Sequence, residues 1–305
     1  MPTQLLSREQ IVSRYGRLTG FEPAPAGHPI AAGQPAGAVT DDTEQAVLVG
    51  RLLTHGPIDP RELAAALVAW EASMAERGSL DLLGPSTKRA VAAVLAGTDP
   101  AEAGRYGDTN GAAMRIAPVG IATRAPGLVD AVVAASSVTH NTGIALAGAA
   151  AVAAVVSAGV DGATFSEALP LALTAARAAA RRGYWVAGAD VAARIEWAVG
   201  LAGGRTEDEA GELIYTLVGT SLATQESVPA AFAVLAAIPG EPWRACLAAA
   251  SLGGDCDTIA ALAGAMAGAT CGAEAFPADA IAVIDRQGFG LGHLADQLYR
   301  IRDHN

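Results

Sequence analysis

Apolar residues recur along the chain at intervals of three and four positions, which is the spacing of buried helix faces. Leu63, Leu67, Trp70 and Met74 form one such series and fall on a single face of a helix. The two-residue alternation of strands is scarcely present, and the connections between helical runs are short and contain Gly or Pro. The pattern therefore predicts one all-α domain, a compact bundle of many helices that spans residues 1–305.

Polar residues at the ends of these runs predict where the helices begin. Ser7 with Gln10, and Thr164 with Glu167, have the spacing of capping boxes, and the Asp59–Pro60 pair supplies an N-cap followed by a first-turn proline. Further helical runs are predicted over Thr87–Leu95, Leu128–Ser136, Val191–Leu201, Glu209–Val218, Pro229–Ala237, Pro242–Leu252, Ile259–Ala269, Ala278–Asp285 and Leu294–Arg302.

One segment, Thr142–Val160, carries no charged residue and is about as long as a membrane span. Its residues are mostly Ala and Gly, which insert weakly into a bilayer, and an ordinary amphipathic helix follows it. We therefore expect a helix buried in the protein core rather than a membrane span, and no membrane partner.

Composition and charge narrow the class of protein. Hydrophobic residues make up 51% of the chain and charged residues 17%, which excludes an intrinsically disordered protein. The net charge of −11 has the wrong sign for a protein that reads a nucleic-acid backbone. Cys246, Cys256 and Cys271 lack the CxxC spacing of a zinc site, and Met1–Glu9 lacks the apolar run of a signal peptide. We therefore expect a cytoplasmic protein with no nucleic-acid partner and no disulfide framework.

Two short acidic segments stand out against this apolar background, each where a loop enters an apolar helix. They are Thr40-Asp41-Asp42-Thr43 and Gly253-Gly254-Asp255-Cys256-Asp257-Thr258. Asp and Thr are good N-cap residues, so capping explains either segment taken alone. Four carboxylates that converge in one core would repel one another unless cations neutralised them, and ligand atoms that are all oxygen favour Mg²⁺ or Mn²⁺ over zinc. Together the segments predict a site for two such ions.

Three other segments carry weaker signals. Gly107–Arg115 is rich in small residues that would expose backbone N–H groups at a helix start, where a phosphate could bind, although Gly-Asp and Asn-Gly also form turns. His140 follows an Ala-rich helix, a position where a structural role is more common than ligand binding. Pro23–Gly37 is rich in Pro, Gly and Ala, and is either a mobile cover over a site or a passive connector.

In their order along the chain, the acidic and polar segments resemble the ADP-ribosylglycohydrolase family, over most of the sequence. The matching stretches are Thr40-Asp41-Asp42-Thr43, Asn110-Gly111-Ala112-Ala113-Met114-Arg115, Thr139-His140 and Gly254-Asp255-Cys256-Asp257-Thr258, with Gly264 and Gly268 behind the last. The family fold is a compact, orthogonal all-α bundle with two Mg²⁺ ions at its centre. The resemblance implies the same fold here, with a central binuclear metal site.

The resemblance also implies roles for individual residues. The expected ligands of two Mg²⁺ ions, with Mn²⁺ as a substitute, are Thr40, Asp41, Asp42, Asp255, Asp257 and Thr258. The expected substrate-pocket residues are Asn110, Gly111, Met114, His140, Ser227 and Val228. Asp42 and Asp255 are the two candidates for the catalytic general base, and the sequence does not choose between them.

The implied activity is hydrolysis of the N- or O-glycosidic bond at C1″ of ADP-ribose attached to a protein side chain or a small acceptor. Chelation of the ribose hydroxyls would orient the sugar for attack by water. Asp108 adds negative charge beside the expected diphosphate region, and aromatic residues for adenine stacking are few. These features favour a second hypothesis, an N-ribosidase for a smaller nucleoside-like metabolite. A third is a catalytically silent relative of the fold.

The chain departs from the family pattern at its first residues. Met1-Pro2-Thr3-Gln4 resembles the continuation of the first family motif, so the usual first helix is absent from this sequence. Either the start codon is assigned too late or the protein dispenses with that helix. Its loss would uncover an apolar groove of the kind that drives association or aggregation, and a homo-oligomer is one of the partner states that the sequence leaves open. Gln4 stands where the family commonly has a glutamate, and an amide cannot act as a base.

Overall fold

The computed structural model describes residues 2–304, and the secondary structure in this range is helical. The α-helices are α1 (Arg8–Tyr15), α2 (Asp41–Leu53), α3 (Pro60–Glu76), α4 (Pro85–Leu95), α5 (Pro100–Ala103), α6 (Ala117–Ala122), α7 (Ala125–Ser136), α8 (Gly143–Val160), α9 (Phe165–Ala180), α10 (Val191–Ala202), α11 (Glu207–Leu213), α12 (Thr224–Ala237), α13 (Pro242–Ala250), α14 (Cys256–Cys271), α15 (Ala278–Asp285) and α16 (Leu291–His304). A π-helix, Ile214–Val218, follows α11, and a 3₁₀-helix, Ala273–Ala275, follows α14. Residues 2–304 contain no β-strand, so the all-α prediction is confirmed.

Side-chain caps start several helices where the sequence predicts them. Both predicted capping boxes are formed, one by Ser7 with Gln10 and the other by Thr164 with Glu167. Asp59 Oδ1 accepts two backbone hydrogen bonds in the first turn of α3. These bonds give partners to N–H groups that the helix itself leaves free, which is why the sequence signal is reliable there.

Most predicted helix starts lie within three residues of the observed ones, and two predictions differ more than that. Helix α12 begins at Thr224, so Pro229 lies in its second turn rather than at its start. Pro229 cannot donate to the carbonyl of Gln225, but Arg194 Nε donates to that oxygen instead, at 3.1 Å. The second error is Gly107–Arg115, which forms turns rather than a helix start.

Helix α8 is the core of the bundle. It is apolar on all sides, and α6, α7, α9, α12 and α14 pack around it. Among the helices of the described part of the chain, it alone is long and apolar enough to cross a membrane by length and composition, with a mean hydropathy of 2.1. Because 83% of this segment is buried inside the fold, it serves as the predicted core helix.

A buried arginine fastens the last helix, α16, to the end of α8. Arg302 has no exposed side-chain surface, and its guanidinium donates to the backbone oxygens of Gly120, Thr123 and Ser157. It also pairs with Asp161, the residue that follows α8. Because these groups lie at or near the C-terminal ends of α6 and α8, the cation also offsets the negative ends of the helix dipoles.

Candidate active site

The first acidic segment forms the start of α2, but its side chains do not cap that helix. Thr40 occupies the N-cap position without a capping hydrogen bond, and its hydroxyl donates to Asp42 Oδ2 at 2.5 Å. Asp41 Oδ2 accepts a hydrogen bond from Gln45 Nε2 at 3.2 Å. Capping therefore does not account for these polar residues, because their side chains bond to one another rather than to the free N–H groups.

Two glycines direct the second acidic segment. Gly253 and Gly254 have φ angles of +88° and +69°, a region that glycine adopts without strain. A Cβ on Gly254 would lie 2.5 Å from the backbone oxygen of Thr220, and Asp255 N donates to that same oxygen at 2.8 Å. The turn thus sets Asp255 at the start of α14, where it makes no capping bond, and Asp257 in the first helical turn.

The structure brings the two acidic segments together. The Thr258 hydroxyl lies beside both acidic segments, because it acts to lower the pKa values of both Asp42 and Asp255. Asn110 Nδ2 donates to Asp255 Oδ2 at 2.5 Å and to Ser227 Oγ at 3.1 Å. Residues from the starts of α2 and α14, from α12 and from the turn before α6 therefore share one polar site inside an apolar bundle.

A further carboxylate, Asp81, lies close to the four acids of the two segments, and the sequence analysis did not predict it. We call Asp41, Asp42, Asp81, Asp255 and Asp257 together the acid cluster. Asp81 lies on the loop between α3 and α4, is 5% exposed, and accepts a hydrogen bond from Asp41 N at 2.9 Å. The side-chain amide of Gln4 acts in the opposite direction to burial and lowers the pKa of the Asp81 carboxyl. The signal that could have found Asp81 is a single acid within the apolar run Leu80–Leu83.

Burial and mutual repulsion raise the pKa values of these carboxyls. Burial is the main cause for Asp81 and Asp255, whose pKa rises from an ordinary 3.8 to about 6. The pKa values of Asp41 and Asp257 lie well above the ordinary value, first because of burial and then because of neighbouring carboxylates. Burial also raises the pKa of Asp42, although two threonine hydroxyls oppose the shift. The site therefore concentrates more negative charge than its own surroundings neutralise.

The donor atoms of the acid cluster fit a hard divalent cation. Asp42 Oδ1 and both carboxylate oxygens of Asp257 are buried without a hydrogen-bond partner. Buried carboxylate oxygens need a proton or a cation, and a set of carboxylate and hydroxyl oxygens suits Mg²⁺ or Mn²⁺. Over residues 2–303, no three His, Cys, Asp or Glu side chains form a compact metal cluster. The carboxylates are thus close enough to raise one another's pKa without converging on a single point.

The turn before α6 lies between the acid cluster and His140. A Cβ on Gly111 would be 2.8 Å from His140 Cε1, so a larger residue there would displace the imidazole. Asn110, the preceding residue, is the one that bonds the acid cluster. Met114 is half-buried and lines an apolar groove of about 290 Å³ together with Asp42.

Hydroxyl groups hold both ring nitrogens of His140. Nε2 lies 2.9 Å from Thr109 Oγ1, and Nδ1 lies 2.8 Å from Thr139 Oγ1. Burial, followed by the charges of Arg115 and Arg89, lowers the pKa of His140 well below its ordinary 6.5. The imidazole is therefore neutral at physiological pH, and it contributes to the site through its position rather than through a charge.

Arg115 connects the imidazole with the first acidic segment. Its Nη2 donates to Thr139 Oγ1 at 2.5 Å, and its Nη1 donates to Gln45 Oε1 at 3.1 Å. Gln45 in turn donates to Asp41. Burial lowers the pKa of Arg115 to about 10, which leaves the guanidinium charged at neutral pH, so it partly offsets the acid cluster.

Ser227 and Val228, adjacent on α12, have different surroundings. Ser227 receives the hydrogen bond from Asn110, whereas Val228 is fully buried in the main hydrophobic core. A Cβ on Gly148 of α8 would lie 3.2 Å from Val228 Cγ2. Val228 therefore packs between α12 and α8, and Ser227 is the one of the pair that bonds within the polar site.

The loop after the π-helix holds both halves of the site. The run predicted as one helix is α-helical to Leu213 and then changes to the π form, which frequently occurs at functional sites. Beyond it, Thr220 O accepts the hydrogen bond from Asp255 N, and Leu222 O accepts one from Asn110 N at 3.0 Å. One short stretch of backbone thus fixes the distance between the acid cluster and the turn before α6.

Together, the fold and the site define a class of protein: an all-α bundle with a buried site of carboxylate and hydroxyl oxygens. The family model described as ADP-ribosylglycohydrolase matches residues 1–305, and the chain belongs to that family. Membership indicates a hydrolase.

The chain is also similar to other proteins over most of its length. The chain is 34% identical over 281 residues to the Escherichia coli (strain K12) protein called "Uncharacterized protein YegU", which covers 90% of this chain and 84% of that protein. An Archaeoglobus fulgidus protein is 32% identical over 273 residues, or 88% of this chain and 82% of its own length. The solved "ADP-ribosylglycohydrolase-related protein complex" has the same fold, with a TM-score of 0.72, 23% identity, and coverage of 98% of this chain and 91% of that one.

Proposed function

We propose that this chain is a Mg²⁺-dependent hydrolase that cleaves the N- or O-glycosidic bond at C1″ of an ADP-ribosyl group carried by a protein side chain or a small acceptor. The observation that carries the proposal is the set of buried, unpartnered oxygens on Asp42 and Asp257. Uncompensated carboxylates in a core destabilise a protein, so their presence is best explained by a bound cation. Family membership supplies the class of reaction.

The two acidic segments would hold the metal ions. The proposed ligands of two Mg²⁺ ions, which Mn²⁺ could replace, are Thr40, Asp41, Asp42, Asp255, Asp257 and Thr258. When bound, the ions would orient the ribose hydroxyls and lower the pKa of a water molecule. The ligands come from the first turns of two helices, α2 and α14, whose backbones are rigid supports.

The remaining side chains would orient the sugar and move the proton. Asn110 fixes Asp255 Oδ2 through its amide, while Asp42 keeps an oxygen free of hydrogen bonds. Either carboxylate can accept the proton of the attacking water, and His140 and Gly111 would form the neighbouring pocket wall. Amide variants of Asp42 and Asp255 distinguish the two candidates for the general base. Replacing the true base by its amide lowers kcat by about 10²-fold or more. The same change at a residue that only holds the metal weakens metal affinity first.

Release of ADP-ribose tests the proposal directly. Purified protein is incubated with arginine-linked and serine-linked ADP-ribosyl peptides, and mass spectrometry detects free ADP-ribose. We expect release that needs Mg²⁺, stops with EDTA and is lost in Asp257→Asn. Asp285→Asn, an exposed carboxylate at the end of α15, is the matched control and should behave as the unaltered protein does.

One observation favours a second candidate, an N-ribosidase acting on a smaller nucleoside-like metabolite. Arg105 already pairs with Glu102 at 2.9 Å, and its guanidinium stacks over the Tyr106 ring at 5.2 Å. Arg115 is fully buried, whereas Asp108 is exposed near the turn that would meet the diphosphate. A doubly charged diphosphate would therefore lie near the negative side chain of Asp108, whereas Arg105 is already paired and Arg115 is buried.

A thermal-shift titration separates these candidates, because a ligand that binds only the native state raises its apparent stability. Stabilisation by ADP-ribose that requires Mg²⁺ supports the first proposal. Stabilisation by a simple nucleoside and not by ADP-ribose supports the N-ribosidase. The third hypothesis, a catalytically silent relative, predicts no metal-dependent turnover of any riboside.

A further inference from the structure

Arg115 lies between the two halves of the site, and its charge is fully buried. Neither Arg115 nor its hydrogen-bond partners Gln45 and Thr139 are exposed. Among the described residues both partners are neutral, because Nη1 donates to the amide oxygen of Gln45 and Nη2 donates to the hydroxyl of Thr139. The Nε of Arg115 is buried without a partner. A buried guanidinium that bonds only neutral groups costs stability, so its place in the structure calls for a reason beyond folding.

Gln45 connects one arm of Arg115 with the first acidic segment. Gln45 lies one turn after Asp41 on α2, and its Nε2 donates to Asp41 Oδ2 at 3.2 Å. A guanidinium can only donate hydrogen bonds, so the oxygen of the Gln45 amide must face Arg115. The amide nitrogen is thereby directed at Asp41. Arg115 thus sets the direction of the amide that holds one oxygen of a proposed metal ligand.

Thr139 connects the other arm with the imidazole. Its Oγ1 accepts a hydrogen bond from Arg115 Nη2 at 2.5 Å and lies 2.8 Å from His140 Nδ1. The second ring nitrogen, Nε2, lies 2.9 Å from Thr109 Oγ1, and the next residue, Asn110, bonds the second acidic segment. The contacts therefore run from the first acidic segment to the second, and Arg115 is their branch point.

The backbone on both sides is held independently of Arg115. Asn141 N donates to Gly104 O at 2.8 Å, and Thr142 Oγ1 donates to a carbonyl of the turn before α6 at 2.6 Å, which fastens the segment after Thr139. On the other arm, α2 is held by its own helical hydrogen bonds. Loss of the Arg115 contacts should therefore change the direction of side chains rather than the course of the chain.

We propose that Arg115 is a positioning residue for both halves of the site. Its Nη1 arm fixes the carboxylate of Asp41 through Gln45. Its Nη2 arm fixes the imidazole of His140 through Thr139. The meaning of these two end points for cation and substrate binding rests on the proposed function, whereas the contacts do not. An arginine suits the role because its planar guanidinium presents separate N–H groups to two partners, which a single ammonium group does not.

The test uses variants that remove one arm or both. Gln45→Met and Thr139→Val preserve side-chain size but remove the polar atoms, and Arg115→Lys preserves the charge but not the two arms. In Gln45→Met we expect Mn²⁺ affinity, measured by electron paramagnetic resonance, to fall about tenfold, because a metal ligand loses its support. At saturating Mg²⁺, its KM for an arginine-linked ADP-ribosyl peptide should equal that of the unaltered protein.

Thr139→Val should give the opposite pattern. Its KM should rise about tenfold, because the imidazole is no longer held on Nδ1, while its Mn²⁺ affinity stays unchanged. Arg115→Lys should show both losses. A merely structural role for Arg115 predicts no such division. Equal losses of Mn²⁺ affinity and equal rises of KM in the two single-arm variants would therefore overturn the proposal, and so would unaltered values of both in Arg115→Lys.

Nuclear magnetic resonance spectra of the metal-free protein make part of the test independent of the proposed function. The imidazole nitrogens of His140 report on one arm, and the side-chain amide of Gln45 reports on the other. Both sets of resonances should shift in Arg115→Lys, and neither in Arg300→Lys, because Arg300 is exposed. If the unaltered protein binds no Mn²⁺ and releases no ADP-ribose, the proposed function fails. Resonances that do not move in Arg115→Lys overturn the positioning role instead.

If Arg115→Lys does not fold, the two single-arm variants decide the question. Thr174→Val is the matched control for Thr139→Val, because Thr174 is exposed and its hydroxyl donates to Pro170 O within its own helix. The control should behave as the unaltered protein does. Unchanged Mn²⁺ affinity in Gln45→Met, together with unchanged KM in Thr139→Val, would then overturn the proposal.

Discussion

Among single residues, Gly111 gives the most direct test of the pocket, because the nearby imidazole is held on both ring nitrogens. Gly111→Ala puts a methyl group 2.8 Å from His140 Cε1 and 3.1 Å from Nε2. We expect kcat/KM to fall by about tenfold or more, and the free energy of unfolding by about 1–2 kcal/mol. Steady-state kinetics and urea unfolding measure the two effects.

Gly200→Ala is the matched control, since nothing lies within 4 Å of its added Cβ and it sits within α10. It should leave kinetics unchanged and add about 0.5–1 kcal/mol of stability. Kinetics in Gly111→Ala that equal those of this control would place the turn outside the pocket.

Asp81 allows a pH prediction with a definite sign. Its pKa is raised from 3.8 to about 6, so the native state binds more protons than the unfolded state within that window. The unaltered, metal-free protein therefore loses stability as pH rises from about 4 to about 6, whereas an asparagine does not titrate. We expect Asp81→Asn to gain stability relative to the unaltered protein across this window, as measured by urea unfolding in EDTA. A stability difference that is constant with pH would contradict the raised pKa.

The acidic segments could be predicted from sequence, but not all of their partners. Asp41, Asp42, Asp255 and Asp257 were predicted because paired acids at helix starts form a local pattern. Asp81 has no such pattern, since a lone acid in a loop acquires meaning only from what the fold places beside it. The same holds for the buried His28, whose Nε2 lies 3.0 Å from the backbone oxygen of Gln4, 24 positions away in sequence.

Among the helices, α16 depends on one buried side chain. Arg302→Met would leave the carbonyl oxygens of Gly120, Thr123 and Ser157 without the donors that the guanidinium supplies. We expect the free energy of unfolding to fall by about 3 kcal/mol, mostly from these oxygens, because the paired Asp161 is half-exposed. Urea unfolding followed by circular dichroism measures the loss.

Arg300→Met changes an exposed arginine on the same helix and should cost less than about 0.5 kcal/mol. Equal losses in the two variants would mean that the buried bonds of Arg302 add nothing beyond general packing.

Local capping explains which helix boundaries were predictable. Ser7 and Thr164 satisfy the first turns of their own helices, so the signal and its effect lie within four residues. The start of α12 depends instead on Arg194, which lies on α10 and takes over the carbonyl that Pro229 leaves free. A boundary maintained by a distant side chain has no local signature.

For the molecule as a whole, metal removal should reveal the repulsion in the acid cluster. The proposed ions would neutralise buried carboxylates, and a ligand at 100 times its Kd adds about 2.7 kcal/mol to native stability. We expect Mg²⁺ to raise the unfolding temperature, and more so at pH 8 than at pH 6, because protons compete for the same oxygens. Differential scanning calorimetry with Mg²⁺ and with EDTA provides the comparison.

Ionic strength must be matched in this comparison, because the chain carries a net charge of −11 and any salt screens its self-repulsion. Asp257→Asn should lose the Mg²⁺-specific part of the shift. A shift of the same size with NaCl at equal ionic strength would show that no specific site is filled.

The overall architecture was accessible from composition and periodicity, because an uncharged Ala- and Gly-rich segment is stable only if other helices surround it. The convergence of the site was less accessible. Its parts belong to elements that are remote in sequence, and nothing local to α2 indicates that α14 lies beside it.

Because the two acidic segments are remote in sequence, the ribosome synthesises them at different times. Between Asp41 and Asp257 the ribosome adds roughly two hundred residues, which takes about 10 to 40 s at ordinary rates of synthesis. Throughout that interval the emerging chain bears half of the acid cluster, with its apolar helices still lacking α14 as a partner. Any metal ion that the cluster takes up must enter after translation has nearly finished. Metal binding can therefore stabilise completed chains, but it cannot direct the folding of nascent ones.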